Sequence, residues 1–368
     1  MLFQKRLSLA ISLIVLISVI SYLSLSLVNN TAWSLSSPLI VSTRDVFDNK
    51  TGHALKDHNT AFKDVSTLLD LNINNCPGEL AIYIHGVWAT PEAAKEQTGR
   101  VFLSLQDLKY NISVIGYSWN SDTAFSFDNE DLSTKGWNIA KLIANKNGPL
   151  LAKFIVGYKE ICPNDEIRLI AHSLGSRVTL SALQSLHDND KNDIIESVHL
   201  MGAAVDDDQI SLNPHDCDTN MVPKLKCSGE AINSTTRAFF NLYNNADIML
   251  TSPIAGDTEG DNPYKKAEKD KALGGFGKQI GIIPPSNYHE RDVENFIPTS
   301  FEPDVEDANG DKECDIPFSS GGFKDCFLSF KGDNHMGYMG YRDPVNNKKI
   351  IDPGAIVVVV DDWRISNR

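Results

Sequence analysis

From about residue 79 onward, short apolar runs alternate with segments whose apolar residues recur at helical spacing. The apolar runs are rich in β-branched and aromatic residues and are bounded by turn residues, which is typical of strands buried on both faces of a sheet. Six runs fit this description: ELAIYIHG (79–86), ISVIGYSW (112–119), EIRLIAHS (166–173), SVHLMGAA (197–204), AFFNLYNN (238–245) and CFLSF (326–330).

Three segments between the runs have helical patterns. Pro91–Leu105 follows Thr90, a capping residue, and places proline at the first helical position. Trp137–Tyr158 has a helical apolar stripe that Gly148-Pro149 is expected to break or kink, and Ser176–Leu186 is the third helix. Alternating strands and helices predict an α/β fold: a mostly parallel, doubly wound sheet with helices on both faces.

The domain that contains these elements is expected to cover residues 76–368, with residues 29–75 as a stalk or lead-in. Residues 206–235 and 252–325 are rich in Asp, Asn, Gly and Pro and are interpreted as loop-like insertions, which in open α/β sheets shape the ligand crevice. A separate cap domain over 252–325 is the alternative. The C-terminal segment DPGAIVVVVDDW fits either a helix, which Asp352-Pro353 would start, or a strand, which the valine run favours.

The N-terminus predicts export. Lys5 and Arg6 precede Leu7–Val28, a run of 22 residues without a charge. Such a run is long enough to span a hydrocarbon core of about 30 Å, and positive charges before it keep the N-terminus cytoplasmic. We therefore interpret residues 1–28 as a signal-anchor that leaves the rest of the chain outside the cytoplasm. A cleaved signal peptide and a secreted protein are the alternative.

The net charge of −14 argues against a nucleic-acid partner, because phosphate binding needs a basic face. Six cysteines behind an export signal suggest disulfides instead. Proximity in sequence suggests Cys217 with Cys227 and Cys314 with Cys326, which would leave Cys76 and Cys162, but the sequence alone does not fix the connectivity.

Ser173 ends the third apolar run, and a helical segment follows at once. A serine between small residues on a sharp strand-to-helix turn is the arrangement of an exposed nucleophile, G-x-S-x-G. Gly175 fits that pattern, while Ala171 stands where glycine is usual. The alternative is a serine that caps the helix N-terminus.

A serine nucleophile needs a histidine base held by a carboxylate, in the chain order serine, acid, histidine for this architecture. His335 follows CFLSF after a short turn and is favoured over His289, which has no predicted strand before it. Asp247, after the AFFNLYNN run, is favoured as the acid over Asp206, which begins a run of three aspartates.

The developing oxyanion needs backbone N–H donors. One is expected from Leu174, directly after the serine. The other is expected from Val87, beyond His85-Gly86, with Trp88 as the next candidate.

Taken together, YIHGVW, VIGYSWNS, LIAHSLGSRV, NLYNNADIML and DNHMGYMG resemble the α/β-hydrolase superfamily, on its lipase/esterase side and a poorly characterised branch of it. The resemblance implies a Ser173–Asp247–His335 triad, no cofactor, and hydrolysis of an ester, thioester or lipid acyl bond. It also implies that Cys76 and Cys162 lie before neighbouring parallel strands and form a disulfide. The alternative is a fold that has lost activity and serves as a binding or scaffolding module.

One acidic segment, 304–315, is similar to part of a calcium loop. Aligning its Gly310 with the loop glycine places Val305 and Ile316 at the first and last ligand positions, where calcium needs oxygen donors. We therefore expect a solvated acidic loop and no metal site, with structural calcium as the alternative.

Overall fold

The computed structural model describes residues 38–55, 76–124, 130–217, 225–251, 271–297, 335–342 and 349–366. Four predictions lie outside these residues: the run Leu7–Val28, the strand at 326–330, the Cys314–Cys326 pair and the acidic loop 304–315. In the part of the chain that is described, no helix has both the length and the apolar character needed to cross a membrane.

A seven-stranded sheet forms the centre of the fold. Every neighbouring pair of strands in it is parallel, and the spatial order is β1-β3-β2-β4-β5-β6-β7. Each of the first five predicted runs overlaps one strand, which confirms the α/β interpretation. The strands are β1 (Leu39–Ser42), β2 (Glu79–Ile84), β3 (Ser113–Ser118), β4 (Glu166–His172), β5 (Ile195–Met201), β6 (Thr236–Tyr243) and β7 (Tyr288–Asp292).

The two outer strands, β1 and β7, were not expected. β1 lies in the segment 29–75, assigned to a stalk or lead-in, so the sheet begins before residue 76. β7 lies in the segment 252–325, described as loop-like, and contains His289, which was expected to lack a strand. Both are short edge strands with partly exposed side chains. β1 (LIVS) is apolar but only four residues long, and β7 (YHERD) is polar, so neither forms an apolar run as long as those of the inner strands.

Helices cover both faces of the sheet. They are α1 (Pro91–Asp107), α2 (Glu130–Ile161), α3 (Gly175–Asp188), α4 (Gly229–Thr235), α5 (Ile248–Thr251), α6 (Leu273–Phe276) and α7 (Ile356–Ser366). Apolar residues of α2 and α3 pack in one core and those of α1 and α7 in a second core on the other face. The C-terminal segment is therefore a helix, and the insertion 206–235 contains α4. A small antiparallel pair, β8 (Tyr341–Arg342) and β9 (Ile350–Asp352), precedes α7.

The break expected at Gly148-Pro149 does not occur, because α2 runs through Pro149 as one helix. Proline has no N–H for the carbonyl four residues earlier, which here belongs to Asn145. The Ser181 hydroxyl of α3 donates to that carbonyl oxygen at 2.7 Å and replaces the lost bond. Gly148 allows this approach, since a Cβ there would lie 2.2 Å from the Ser181 oxygen.

Two disulfides join described residues: Cys76 with Cys162 and Cys217 with Cys227. Both pairings agree with expectation. Cys76 and Cys162 lie shortly before β2 and β4, whose parallel register pairs Glu79 with Glu166. Disulfides of this kind are typical of proteins that fold outside the cytoplasm.

Candidate active site

Ser173 occupies the turn between β4 and α3. Its φ is +52°, in the left-handed region that non-glycine residues rarely adopt. The strand ends at His172 and the helix begins at Gly175, so the backbone reverses within two residues. This sharp turn is the one that the sequence predicts, and such strain in a non-glycine residue is concentrated at functional sites.

Two glycines give the turn its room, and only one of them flanks the serine in sequence. A Cβ on Gly175 would lie 2.5 Å from the Ile84 carbonyl oxygen, and a Cβ on Gly86 would lie 2.8 Å from Ser173 Cβ. The first clash is with the end of β2, and the second is with the serine itself. Ala171 is fully buried in β4 and coexists with the turn. The methyl group that departs from the usual pattern is therefore accommodated.

His335 and Asp247 form a hydrogen-bonded pair. The histidine Nδ1–H donates to Asp247 Oδ2 at 2.7 Å, and the carboxyl is fully buried. A carboxylate is an acceptor, so this bond fixes the proton on Nδ1 and leaves Nε2 as the basic nitrogen. The other carboxylate oxygen, Oδ1, accepts the Met249 N–H at the start of α5 at 3.1 Å.

Tyr338 supports the same carboxylate, a role that the sequence analysis missed. Its buried hydroxyl donates to Asp247 Oδ2 at 3.2 Å. Burial first, and the Asp247 charge second, raise the pKa of this phenol well above its usual value, so it stays a donor at all working pH values. Tyr338 lies three residues after His335, within the motif DNHMGYMG, and this proximity is the one sign in the sequence that it could contribute to the site.

His172, beside Ser173, holds the segment that carries His335. Its Nε2–H donates to the His335 carbonyl oxygen at 2.7 Å, and the two rings lie 4.6 Å apart. Burial first, and the neighbouring His335 second, lower the pKa of His172 well below its usual value, so the ring is neutral. A neutral donor at this position fixes His335 without placing a second positive charge beside it.

The expected oxyanion donors lie on both sides of the serine. Among the described residues, neither the Leu174 nor the Val87 amide donates to a protein acceptor, so both can serve a ligand. The Trp88 amide, the next candidate, donates to the Ser121 carbonyl at 2.9 Å and is occupied. Trp88 also has a positive φ of +54°, which turns the chain back after Val87.

The loop that carries Val87 is fixed by His85. Its Nδ1–H donates to the Gly86 carbonyl at 2.8 Å, and its Nε2 accepts the Trp119 amide at 3.1 Å. Burial, and secondarily Arg44, lower the pKa of His85 to about 3, so the ring is neutral and can play both parts. Arg44 adds a bond from Nη2 to the Ala89 carbonyl at 2.7 Å. A rigid loop of this kind presents an amide at a constant position.

The two alternative residues lie elsewhere. Asp206 follows β5, pairs its backbone with Ala272, and has Lys141 as an electrostatic neighbour. His289 stacks on Phe240 within the sheet, with ring centroids 4.9 Å apart. The carboxylate that bonds to His335 is that of Asp247.

Among the described residues, one cluster of potential ligands is close enough to share an ion: Cys76, Cys162 and Asp165. The two cysteines are joined to each other by a disulfide, which removes their thiolates as ligands. This cluster is therefore not a metal site.

Comparison with sequence families supports the resemblance stated from the motifs. Residues 63–228 match the model of an α/β hydrolase family of unknown function (DUF900). The matched segment contains β2 to β5, the Ser173 turn and the loop of Val87. No curated protein sequence matches this chain.

Several solved structures align with part of this chain. Aspergillus fumigatus lipase B has 11% identity and a TM-score of 0.33, with 61% of this chain and 47% of the lipase covered. A cutinase-like protein from Cryptococcus sp. has 14% identity and a TM-score of 0.23, with 37% and 57% covered. An acetyl xylan esterase has 10% identity and a TM-score of 0.21, with 45% and 84% covered.

This chain thus spans about half the length of the lipase and the cutinase-like protein. At these identities and TM-scores the similarity does not extend to substrate or mechanism.

Proposed function

We propose that this α/β-hydrolase chain is a serine hydrolase that cleaves an ester-type acyl bond, in a carboxylic ester, thioester or lipid. The observation that supports this most strongly is the His335–Asp247 bond of 2.7 Å at the same end of the sheet as Ser173. Histidine, carboxylate and a serine on a strained turn are the three parts of a nucleophilic triad.

In the first half of the reaction, Ser173 Oγ attacks the substrate carbonyl carbon. His335 Nε2 takes the hydroxyl proton, and the imidazolium is stabilised by Asp247 through the Nδ1–H bond. The amides of Leu174 and Val87 donate to the oxyanion. The C–O or C–S bond of the leaving group then breaks, and His335 passes the proton to the departing oxygen or sulfur.

In the second half, water attacks the acyl carbon bound to Ser173. His335 Nε2 removes one water proton and returns it to Ser173 Oγ, which releases the carboxylic acid. Every proton that leaves the serine or the water passes through one nitrogen, so no cofactor is needed.

The proposed place of action is outside the cytoplasm. The two disulfides support an oxidising compartment. The run Leu7–Val28 would tether the domain to a membrane as a signal-anchor, or release it if the segment is cleaved.

The test is hydrolysis of a panel of p-nitrophenyl esters with increasing acyl length by the wild type, Ser173→Ala and Ser286→Ala. Ser286 is an exposed serine in the loop before β7 and serves as a matched control. We expect Ser173→Ala to lower kcat on the order of 10⁴-fold or more. Equal activity in the two variants, or none in the wild type against any ester, would favour the non-catalytic module instead.

A further inference from the structure

Arg44 lies two residues after β1, and its guanidinium reaches the ends of two neighbouring strands. The Nε–H donates to Ser118 Oγ at 2.7 Å, at the last residue of β3. An Nη2–H donates to the Ala89 carbonyl oxygen at 2.7 Å, in the loop after β2. Since β1, β3 and β2 are consecutive in the sheet, this one side chain joins the segments at the carboxyl ends of all three.

The guanidinium of Arg44 is enclosed, and its donors point at several acceptors. Only 10% of the side chain is exposed. Nη1 forms an ion pair with Asp122 Oδ1 at 3.4 Å, and Nη2 lies 3.4 Å from His85 Nε2. A guanidinium presents its five N–H groups in a rigid planar fork, whereas a lysine ammonium is a compact point charge. Contacts in several directions therefore require arginine rather than any cation.

The segment that Arg44 contacts is residues 86–89, the Val87 loop, and its backbone is strained. Trp88 has a φ of +54°, a conformation that a non-glycine residue keeps only where the surrounding structure determines it. The Trp88 amide donates to the Ser121 carbonyl at 2.9 Å, and the Ala89 amide donates to Ser121 Oγ at 3.2 Å. Arg44 bonds the carbonyl of the same Ala89. The strained turn is thus held by Ser121 on one side and by Arg44 on the other.

The Val87 loop lies against the candidate nucleophile. A Cβ on Gly86 would lie 2.8 Å from Ser173 Cβ, so the start of the loop is in contact range of the serine. Val87 is the next residue, and its amide is the expected second donor to the oxyanion. A displacement of about 1 Å in such a group can lower a rate about 100-fold. The bond from Arg44 to Ala89 holds the loop two residues beyond that amide.

We propose that Arg44 is a positioning residue, which holds the Val87 loop in the conformation that presents the Val87 amide to the oxyanion of the substrate. This inference rests on the proposed function and adds to it a residue from outside the family match, which begins at residue 63. The segment around β1 is then part of the catalytic unit and not a lead-in to it.

The direct test is hydrogen-exchange mass spectrometry of peptides that cover residues 85–92, in the wild type, Arg44→Ala and Arg237→Ala. Arg237 is a matched control, because its side chain is 63% exposed and pairs with Glu196 at the opposite end of the sheet. We expect the loop amides to exchange about 10–100-fold faster in Arg44→Ala, since a charged hydrogen bond is lost there. Arg237→Ala should exchange like the wild type. Unchanged exchange in Arg44→Ala would overturn the inference.

Kinetics separate positioning from a merely structural role. With p-nitrophenyl esters, Arg44→Ala should lower kcat about 10–100-fold while KM changes less than about threefold, because the oxyanion forms after the substrate binds. Guanidinium chloride at millimolar concentration should restore part of that kcat. Guanidinium weakens folded proteins, so a gain of activity in its presence is not a gain of stability. Arg44→Lys keeps the charge without the fork and should fall between the two. It carries the test if the alanine variant fails to fold.

The outcomes distinguish this inference from the proposed function. Wild-type kcat in Arg44→Ala, or a loss that guanidinium does not restore, would overturn the positioning role and leave the serine hydrolase standing. An equal loss of kcat in Arg237→Ala would overturn it as well. Faster exchange of the Val87 loop in Arg44→Ala, together with no ester hydrolysis by the wild type, would overturn the hydrolase and leave Arg44 as the residue that holds the loop.

Discussion

Two histidine–aspartate pairs among the described residues differ in what surrounds them. In the site pair, His335 Nδ1 lies 2.7 Å from Asp247 Oδ2. In the core pair, His199 Nε2 lies 3.5 Å from Asp362 Oδ2. The site pair has a histidine that is partly exposed, whereas His199 is fully buried.

The partners of the core pair show a structural role. The His199 ring stacks on Phe240 with centroids 4.4 Å apart and meets the edge of Trp363 at 5.9 Å. Asp362 Oδ1 accepts from Arg291 Nη2 at 3.0 Å. These contacts attach α7 to the sheet face.

The difference shows that the location of a histidine–aspartate pair in the sheet decides whether a ligand can reach it. His199 is in the middle of β5, where aromatic side chains enclose it on both sides. His335 lies in a loop at the carboxyl ends of the strands, beside the turn that carries Ser173. Ligands of open α/β sheets bind at those ends.

Replacing the histidine of each pair gives the largest expected contrast. We expect His335→Ala to lower kcat on the order of 10⁴-fold, because it removes the base for Ser173. His199→Phe should change kcat little, since no reacting group lies against it. Steady-state ester hydrolysis by both purified variants measures this, and a comparable loss in the two would reject the distinction.

Replacing the acids gives a contrast of similar kind. Asp247→Asn should lower kcat about 10³–10⁴-fold, because an amide can donate to Nδ1 and favour the wrong tautomer. Asp362→Asn should instead lower the free energy of unfolding by about 1–3 kcal/mol, since it weakens a partly exposed pair with Arg291.

Asp206→Asn should lose far less activity than Asp247→Asn. The reverse order in a kcat measurement would move the acid to Asp206.

A smaller effect is expected at His172, which positions His335 through its carbonyl. His172→Phe keeps an aromatic ring but removes the donor, and we expect kcat to fall about 10–100-fold with KM little changed. His172→Gln places an amide donor near the same point and should recover most of the loss. If glutamine is as poor as phenylalanine, the hydrogen bond is not what positions the base.

The smallest effect concerns the pH dependence of stability. Burial lowers the pKa of His85 to about 3, and lowers those of His172 and His199 below their usual value of 6.5. Below pH 6.5 the unfolded chain therefore binds more protons than the folded one, and stability falls as the pH falls. Each such histidine contributes up to about 1.4 kcal/mol per pH unit.

Urea denaturation between pH 7 and 5 should thus show decreasing stability, with a slope that His199→Phe reduces by one histidine's share, up to about 1.4 kcal/mol per pH unit. An unchanged slope in His199→Phe would mean that the core histidine carries a proton in the folded state.

The sequence was sufficient for the centre of the sheet and insufficient for its rim. β2 to β6 carry apolar runs because they are buried on both faces. Their order along the chain also singled out Asp247 and His335, which the structure joins by a hydrogen bond. β1 is an apolar edge strand of only four residues, and β7 is polar, so neither gives a hydrophobic run long enough to mark a strand.

The supporting contacts of the site could not be predicted for a different reason. Tyr338 and His172 act through bonds to Asp247 and to the His335 carbonyl, which depend on how a loop returns to the sheet. Arg44 reaches the loop that carries Val87 from a segment whose strand was itself not expected. Continuity of α2 through Pro149 likewise required the Ser181 hydroxyl of another helix.

The central claim is that Ser173 is a nucleophile activated by the site pair. The most direct measurement is peptide mapping of the protein after reaction with a fluorophosphonate probe, for the wild type, His335→Ala and His199→Phe. The account predicts one adduct, on Ser173, at full yield in the wild type and in His199→Phe, and strongly reduced in His335→Ala. An adduct on another residue, or equal labelling of Ser173 in all three proteins, would contradict it.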